Sequence, residues 1–455
     1  MANGIKKPEQ YGPKEKKTVR GMQRGRKGRF KNMEKELYDR IFDILHEELV
    51  PAVGCTEPIA IAMAAAKARD VLGRIPEHIT AKCSGNLIKN VKCVVVPNTE
   101  NMIGIEASAI VGAVCGDFSR GMEVLSSVTP EGLETAKKLY EEKICRVEIL
   151  DTPLNLHLII EASAGDDTVS VEIRNLHDNI TEIRKNGESI FDAAQNDSLY
   201  CGVLTDRSCL SCDVIYEFAE TAPLDRLREI IGPQIEYNMK IAEEGLTGKY
   251  GVGIGTSIIA HDCSLAAIMK GYASAASEAR MSGCVLPVIT NSGSGNQGIA
   301  ASVPVIVYAR MNGVSEERLL RALALSNLLT IYQKTYIGRL SAFCGAVSAT
   351  AGSGGGITYL AGGTKEQIKM TLANALANVS GIVCDGAKAS CGSKIAVGLD
   401  AAITGHYLAM ENKYYQPFTG ILQSDIDATI NAVGRMAAEG MRETDKVILD
   451  IMLGN

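Results

Sequence analysis

The chain of 455 residues contains no tryptophan and only seven phenylalanines. It also lacks an apolar run of eighteen residues that is free of charge and turn signals, so we expect no transmembrane helix and no membrane partner. Residues 284–308 come closest, but a polar Asn/Ser/Gly segment interrupts them. Hydrophobic residues at 46% and charged residues at 22% are typical of a globular protein, and the length suits about two domains.

A basic excess is missing from the main body as well. The net charge is −6 and the isoelectric point is near 5.7. Because phosphate binding needs a basic face, we expect no nucleic-acid partner, and a small-molecule substrate fits better. Residues 1–32 are the exception, with eleven Lys and Arg against two Glu, and we predict that they form a disordered basic extension.

Paired histidine motifs of the H-x-x-E-H kind are absent, so histidine-based zinc chemistry is not expected. Cysteine, in contrast, is plentiful: there are thirteen, and we expect no secretory leader before them. Such a composition favours a reducing, cytoplasmic location, where clustered thiols more often serve metal binding or catalysis than disulfides.

Hydrophobic periodicity predicts an α+β fold. A helix is expected over residues 34–49, and a second is expected from a Thr56 cap to about Leu72. Alternating or short apolar runs predict strands in an antiparallel sheet, at 79–97, 146–150, 154–162 and 168–173.

Beyond about residue 223, helical patterns and glycine-rich loops replace the strand patterns. We therefore predict an α+β domain at 33–220 with the antiparallel sheet, and a mainly helical domain at 221–455. Residues 34–75 could pack on either domain.

The strongest local feature is the segment from Gly381 to Lys394, in which Cys384 and Cys391 are separated by seven positions and flanked by lysines. Cys344 lies forty positions before Cys384 and is followed by a glycine run at 351–356 that we expect to be flexible. These three thiolates could converge on a metal or an iron–sulfur cluster. Zinc is less favoured because structural zinc sites use short paired Cys-x2–4-Cys knuckles. Buried free thiols are the alternative.

Two further segments carry candidate chemistry. Cys55 directly precedes a predicted helix, whose dipole favours a thiolate, so it is a candidate nucleophile or metal ligand. A polar loop before an apolar helix suits a carboxylate or a phosphate; its residues are Asn291, Ser292, Gly293, Ser294, Gly295 and Asn296. With Gly298, this loop also matches the dinucleotide pattern G-x-G-x-x-G, although the βαβ alternation that the pattern needs is not evident.

Proton removal from an α-carbon would require a general base. Lys388, Lys334 or Tyr332, which lie beside the motifs, could serve if burial or neighbouring charge lowered the pKa. The alternative for each lysine is an ordinary surface position.

Several motifs in one order resemble the L-cysteine desulfidase family, which is related to the alpha subunit of iron–sulfur-dependent L-serine dehydratases. The matching segments are Gly54–Pro58, Ser84–Asn90, Asn291–Gly298, Ser341–Gly345 and Cys384–Cys391. The resemblance covers nearly everything from Met33 onward. It implies a serine-dehydratase-alpha-like helical domain and a [4Fe–4S] enzyme that converts L-cysteine and water to sulfide, ammonia and pyruvate.

Carried onto this sequence, the resemblance implies that Cys344, Cys384 and Cys391 bind the cluster. Cys55 is either a ligand in place of Cys391 or an active-site thiol. The substrate sulfur would meet the open iron while its carboxylate lies in the loop at 291–298, and pyridoxal phosphate would not be needed. The rivals are an L-serine dehydratase on the same cluster and a non-catalytic cluster or cysteine sensor. A homodimer is also expected.

Overall fold

The computed structural model describes residues 33–193 and 204–454. The predicted basic extension at 1–32 lies outside the described residues. Within the described ranges, the strands are β1 Pro51–Val53, β2 His78–Cys83, β3 Cys145–Ile149, β4 His157–Ala164, β5 Asp167–Arg174, β6 Ile180–Lys185, β7 Glu188–Asp192 and β8 Pro287–Ile289.

The helices of the first half are α1 Lys35–Glu48, α2 Thr56–Leu72, α3 Gly85–Val91, α4 Gly104–Cys115, α5 Pro130–Glu141 and α6 Cys212–Thr221. Those of the second half are α7 Leu224–Gly245, α8 Ile254–His261, α9 Leu265–Met281, α10 Gly295–Met311, α11 Glu316–Ile337, α12 Gly345–Leu360, α13 Lys365–Val379, α14 Cys391–Met410, α15 Ile426–Arg435 and α16 Arg442–Leu453. None of these helices is long and apolar enough to cross a bilayer.

The sheet has the strand order β3-β2-β4-β5-β6-β7. All neighbouring pairs are antiparallel except β2 and β3, which are parallel because α3, α4 and α5 intervene between them in the chain. Helices α2 and α4 pack against each other, and α2 also packs against β4 and β5. The predicted α+β class is confirmed, and the sheet is mixed at one edge.

One predicted strand is wrong. The expectation for residues 79–97 holds for β2, but the chain then forms helix α3 instead of a second strand. Leu87, Ile88 and Val91 are buried, and their spacing places them on one side of a helix. The alternation seen from Val91 to Val96 yields only an isolated bridge from Val95 to Ile103.

Two hydrophobic cores form, one around the sheet with α2 to α5 and one among the helices of the second half. Helix α1 belongs to the helical core, where Ile41, Phe42 and Leu45 are fully buried, and α6 joins it there. Residues 33–220 therefore contribute to both cores. Conversely, α16 from the second half packs on α3 of the sheet body.

Candidate active site

A cavity lies between the sheet body and the helical body. The sheet body contributes Cys55, Glu57, Asn90 and His177 to its lining. The helical body contributes Arg280, Ser292, Gly293, Ser294, Asn296, Gln297, Lys334, Arg339, Cys344, Cys384 and Cys391.

Four helices begin at this cavity. Cys55 is the N-cap of α2, Ser294 is the N-cap of α10 and Cys344 is the N-cap of α12, while Cys391 is the first residue of α14. The first amides of a helix have no intrahelical acceptor and carry partial positive charge. Their convergence favours an anionic ligand, such as a carboxylate, in the cavity.

Cys344 and Cys384 are brought together by backbone pairing. The amide of Cys344 donates to Ile382 O over 3.0 Å, and the amide of Cys384 donates to Ala342 O over 2.6 Å. The residues just before the two cysteines form an isolated antiparallel bridge. Two thiols forty positions apart thus face one cavity on a hydrogen-bonded frame.

The loop from Cys384 to Cys391 turns at Gly386, which has a positive φ of 94°. A side chain there would overlap the carbonyl oxygen of Lys89, so glycine is required. Burial, followed by the charges of the nearby Cys384 and Cys391, raises the pKa of the Cys344 thiol to about 12. The three predicted ligands therefore lie close enough to interact electrostatically.

The chemistry of the donor set is that of thiols, the ligands that hold iron–sulfur clusters. Within residues 33–193 and 204–454, no three His, Cys, Asp or Glu side chains are close enough together to hold one metal ion. A cubane spaces its thiolates more widely because each thiolate binds a different iron. Four buried or half-buried thiols line the cavity, and all are free of disulfides. The residues present therefore fit such a cluster chemically.

Cys55 is hydrogen-bonded to Glu57. Its Sγ donates to Glu57 Oε2 over 2.9 Å, and the same carboxylate accepts from Thr56 Oγ1 at 3.1 Å and from Asn90 Nδ2 at 3.2 Å. Burial, followed by the Glu57 charge, raises the pKa of Cys55 well above its ordinary value. Burial opposes ionisation of Glu57, but His177 and the hydrogen bonds outweigh it, so the pKa of Glu57 is lowered. In the protein without a cofactor, Cys55 is therefore a thiol and Glu57 a carboxylate at neutral pH.

Four of the six residues of the predicted anion loop line the cavity. Ser292, Gly293, Ser294 and Asn296 line the cavity, whereas Asn291 and Gly295 do not. Asn291 instead donates to Asn327 O over 3.2 Å and fixes the loop from behind. The dinucleotide alternative is not supported, because β8 pairs antiparallel with β1 and forms no parallel βαβ unit.

Of the three candidate bases, Lys334 lines the cavity, whereas Lys388 and Tyr332 do not. Lys334 is buried in the cavity lining, its Nζ donates to Arg339 O over 3.2 Å, and burial lowers its pKa to about 8. Lys388 is outside the lining and pairs with Asp385 at 2.6 Å. Tyr332 is also outside the lining, and burial raises its pKa.

Several cavity residues were not predicted as site residues. Glu57 and Asn90 lie within segments that carry the family resemblance, so that signal could have found them. Arg280, His177 and Arg339 come from three distant segments without a local pattern. Among the described residues, Arg280 Nε and Nη2, His177 Nε2 and Gln297 Oε1 are buried without a hydrogen-bond partner.

The fold and the site define a protein of two packed bodies whose shared cavity, lined by thiols and cations, suits a small anionic ligand. The sequence profile described as serine dehydratase alpha chain matches residues 119–450. The chain therefore belongs to the serine dehydratase alpha chain family, and the predicted alpha-like helical domain is confirmed.

Similar proteins match almost end to end. A UPF0597 protein of Treponema denticola is 48% identical over 428 residues, covering 93% of this chain and 99% of the relative. A UPF0597 protein of Lachnoclostridium phytofermentans is 50% identical over 421 residues, covering 92% of this chain and all of the relative. A third, from Finegoldia magna, is 46% identical over 412 residues, covering 90% and 98%.

Proposed function

We propose that this protein is a [4Fe–4S]-dependent lyase that eliminates sulfide from L-cysteine to give pyruvate and ammonia. The observation that carries the proposal is that Cys55, Cys344, Cys384 and Cys391 line one cavity with the start of α10. Membership of the serine dehydratase alpha chain family supports an elimination from a small amino acid.

In this proposal, Cys344, Cys384 and Cys391 hold the cluster. When bound, the cluster supplies an iron without a protein thiolate, which acts as a Lewis acid toward the leaving group. Cys55 is not a cluster ligand in this proposal and faces the substrate. Its hydrogen bond to Glu57 fixes the orientation of its sulfur.

The residues of the chain then bind the substrate and move its protons. The amides at the start of α10 hold the carboxylate. Lys334, the one predicted base that lines the cavity, accepts the proton from Cα. The Cα–H electron pair forms the Cα–Cβ double bond as the C–S bond breaks, and the sulfur departs as sulfide. Aminoacrylate tautomerises to an imine, and water hydrolyses the imine to pyruvate and ammonia.

L-Serine dehydratase activity is the second candidate, because the family carries that name. The two reactions share the proton removal and the pyruvate product, and they differ in the leaving group. A non-catalytic cluster or cysteine sensor would carry the same thiols without turnover.

The test uses full-length protein, purified anaerobically, reconstituted with iron and sulfide, and incubated with L-cysteine or L-serine. We expect sulfide and pyruvate in equal amounts from L-cysteine. Reconstituted Cys344→Ser protein is the matched negative control. Pyruvate from L-serine alone would replace the proposal with serine dehydratase, and no product from either amino acid would support the sensor.

A further inference from the structure

Arg280 is a buried cation whose pairing is incomplete. It lies in the last turn of α9, its side chain lines the cavity, and only 2% of the residue is exposed. Nη1 donates to Asn296 Oδ1 over 3.2 Å. Nε and Nη2 have no partner among the described residues. Two of the three guanidinium nitrogens thus have unused hydrogen-bonding capacity.

The charge of Arg280 is not neutralised by a direct ion pair within the described chain. Arg339, the other arginine of the lining, has such a partner, because its Nη2 donates to Glu48 Oε1 over 2.9 Å. Glu57 lies close enough to feel the Arg280 charge, but its hydrogen bonds go to Cys55, Thr56 and Asn90. A guanidinium remains charged at all ordinary pH values, and burying it unpaired is costly. An anionic ligand bound at Arg280 would therefore neutralise a buried charge that the described residues leave unpaired.

The surroundings hold the guanidinium beside the start of α10. Asn296 Oδ1, which accepts from Arg280, also accepts from Ser277 Oγ at 3.1 Å, so the amide is fixed from two sides. Gly295 lies directly against the guanidinium, and a Cβ at that position would overlap it. The sequence thus keeps Arg280 next to the unpaired amides that open the helix.

An acceptor for a positive group lies in the same cavity. Gln297 Oε1 is buried and has no donor among the described residues. A zwitterion with a carboxylate and an ammonium group one carbon apart would pair with a guanidinium and an amide oxygen at once.

We infer that Arg280 binds the α-carboxylate of the substrate through Nε and Nη2, and that Gln297 accepts from the α-ammonium group. Arg280 is thereby the specificity-determining residue that selects α-amino acids over amines and thiols without a carboxylate. The inference rests on the proposed function only in requiring an amino-acid substrate. It does not depend on whether sulfur or oxygen leaves.

The first test measures binding to the metal-free full-length chain by calorimetry, with pyruvate as the probe and pyruvamide as its uncharged match. We expect Arg280→Gln to weaken pyruvate binding about 10- to 100-fold, as for loss of charge-assisted hydrogen bonds. Arg280→Lys should lie between that variant and the wild type. Arg321→Gln is the control, because this arginine contacts the backbone of Ala219 outside the cavity.

Equal pyruvate affinity in the wild type and Arg280→Gln, or no preference of the wild type for pyruvate over pyruvamide, would overturn the inference. If Arg280→Gln does not fold, Gly295→Ala gives a second route, because it displaces the guanidinium while keeping its charge; unchanged pyruvate affinity there would also contradict the inference.

The second test compares, in the reconstituted enzyme, the KM of L-cysteine with the inhibition constant of cysteamine, which lacks the carboxylate that acidifies Cα–H and therefore serves as an inhibitor. Arg280→Gln should raise the KM of L-cysteine relative to that inhibition constant by about the same factor as the loss of pyruvate binding. If the wild type releases sulfide and Arg280→Gln leaves the ratio of the two constants unchanged, the inference fails and the proposed function stands. If the wild type releases no sulfide but Arg280→Gln loses pyruvate binding, the inference stands and the desulfidase proposal fails.

Discussion

The backbone amides of Cys344 and Cys384 donate across one antiparallel bridge, so two segments forty positions apart present their thiols to the same cavity. This frame exists in the protein without any cofactor. The thiols are therefore held near each other by the fold, and a cluster would not have to gather them from separate loops.

Replacing either framed cysteine tests the cluster assignment. We expect Cys344→Ser and Cys384→Ser to lose most of the iron and acid-labile sulfide after anaerobic reconstitution, because a hydroxyl is a poor ligand for iron in a cubane. Cys209→Ser is the control, since this cysteine lies outside the cavity lining. Full iron content in both site variants would refute the assignment.

Cys55 and Cys391 are the two candidates for the third cluster ligand, and the Cys→Ser variant of each distinguishes them. We expect Cys55→Ser to keep its iron but lose activity, because its sulfur faces the cavity on a hydrogen bond to Glu57. Cys391→Ser should lose iron. Iron analysis beside sulfide release distinguishes the two roles, and the reverse pattern would make Cys55 the third ligand.

Replacing each of the two candidate lysines tests which one is the general base. Lys334→Met should lower kcat by about 10²- to 10⁴-fold, the usual contribution of a general base. Lys388→Met should stay within a few-fold of the wild type, because Lys388 pairs with Asp385 outside the cavity lining. Single-turnover measurements at equal iron content check both. A large loss of kcat in Lys388→Met alone would indicate that Lys388, and not Lys334, is the general base.

Gly386 tests the shape of the cysteine loop. Gly386→Ala combines a positive φ with an overlap against Lys89 O, so we expect a loss of stability of about 1–3 kcal/mol and a lower iron content. Gly362→Ala, also at positive φ but with open space around it, isolates the backbone strain. Equal melting temperatures and equal iron contents in the two variants would show that the overlap is relieved without cost.

A buried ion pair secures α16. Lys89, with a side chain only 1% exposed, pairs with Asp445, and its Nζ also donates to Ser341 O over 3.4 Å. Asp445→Asn leaves the buried ammonium without a counter-ion, which typically costs about 3–5 kcal/mol. Urea unfolding should show this loss. The double variant Lys89→Met with Asp445→Leu should recover much of it, and an Asp445→Asn protein as stable as the wild type would mean that the pair is dispensable.

Periodicity predicted the elements whose burial pattern is local. Helix α2 and strands β3 to β5 follow the predicted ranges within a few residues, because apolar spacing alone fixes which side is buried. Helix α3 was missed because its seven residues are too few to show a clear period. The glycine run at 351–356, expected to be flexible, is buried inside α12, where Gly352 and Gly356 allow close contact with α11.

The cavity residues likewise divide into those that the sequence predicted and those that it did not. Cysteine spacing pointed to Cys344, Cys384 and Cys391, and the structure places all three in one lining. Arg280 and His177 could not be predicted, because their positions depend on how α9 and the β5–β6 connection meet across the two bodies. Contacts of that kind are set by tertiary packing and leave no periodic trace in the sequence.

The pairing of Lys89 with Asp445 spans 356 positions of the chain. Every residue that lines the cavity precedes α16, the helix that carries Asp445 and packs over α3. Translation therefore supplies all the lining residues before it supplies the helix that packs on α3. At roughly 5–20 residues per second, the ribosome adds α16 only seconds after Cys391. The nascent chain therefore holds every cavity-lining residue before the ion pair between Lys89 and Asp445 can form.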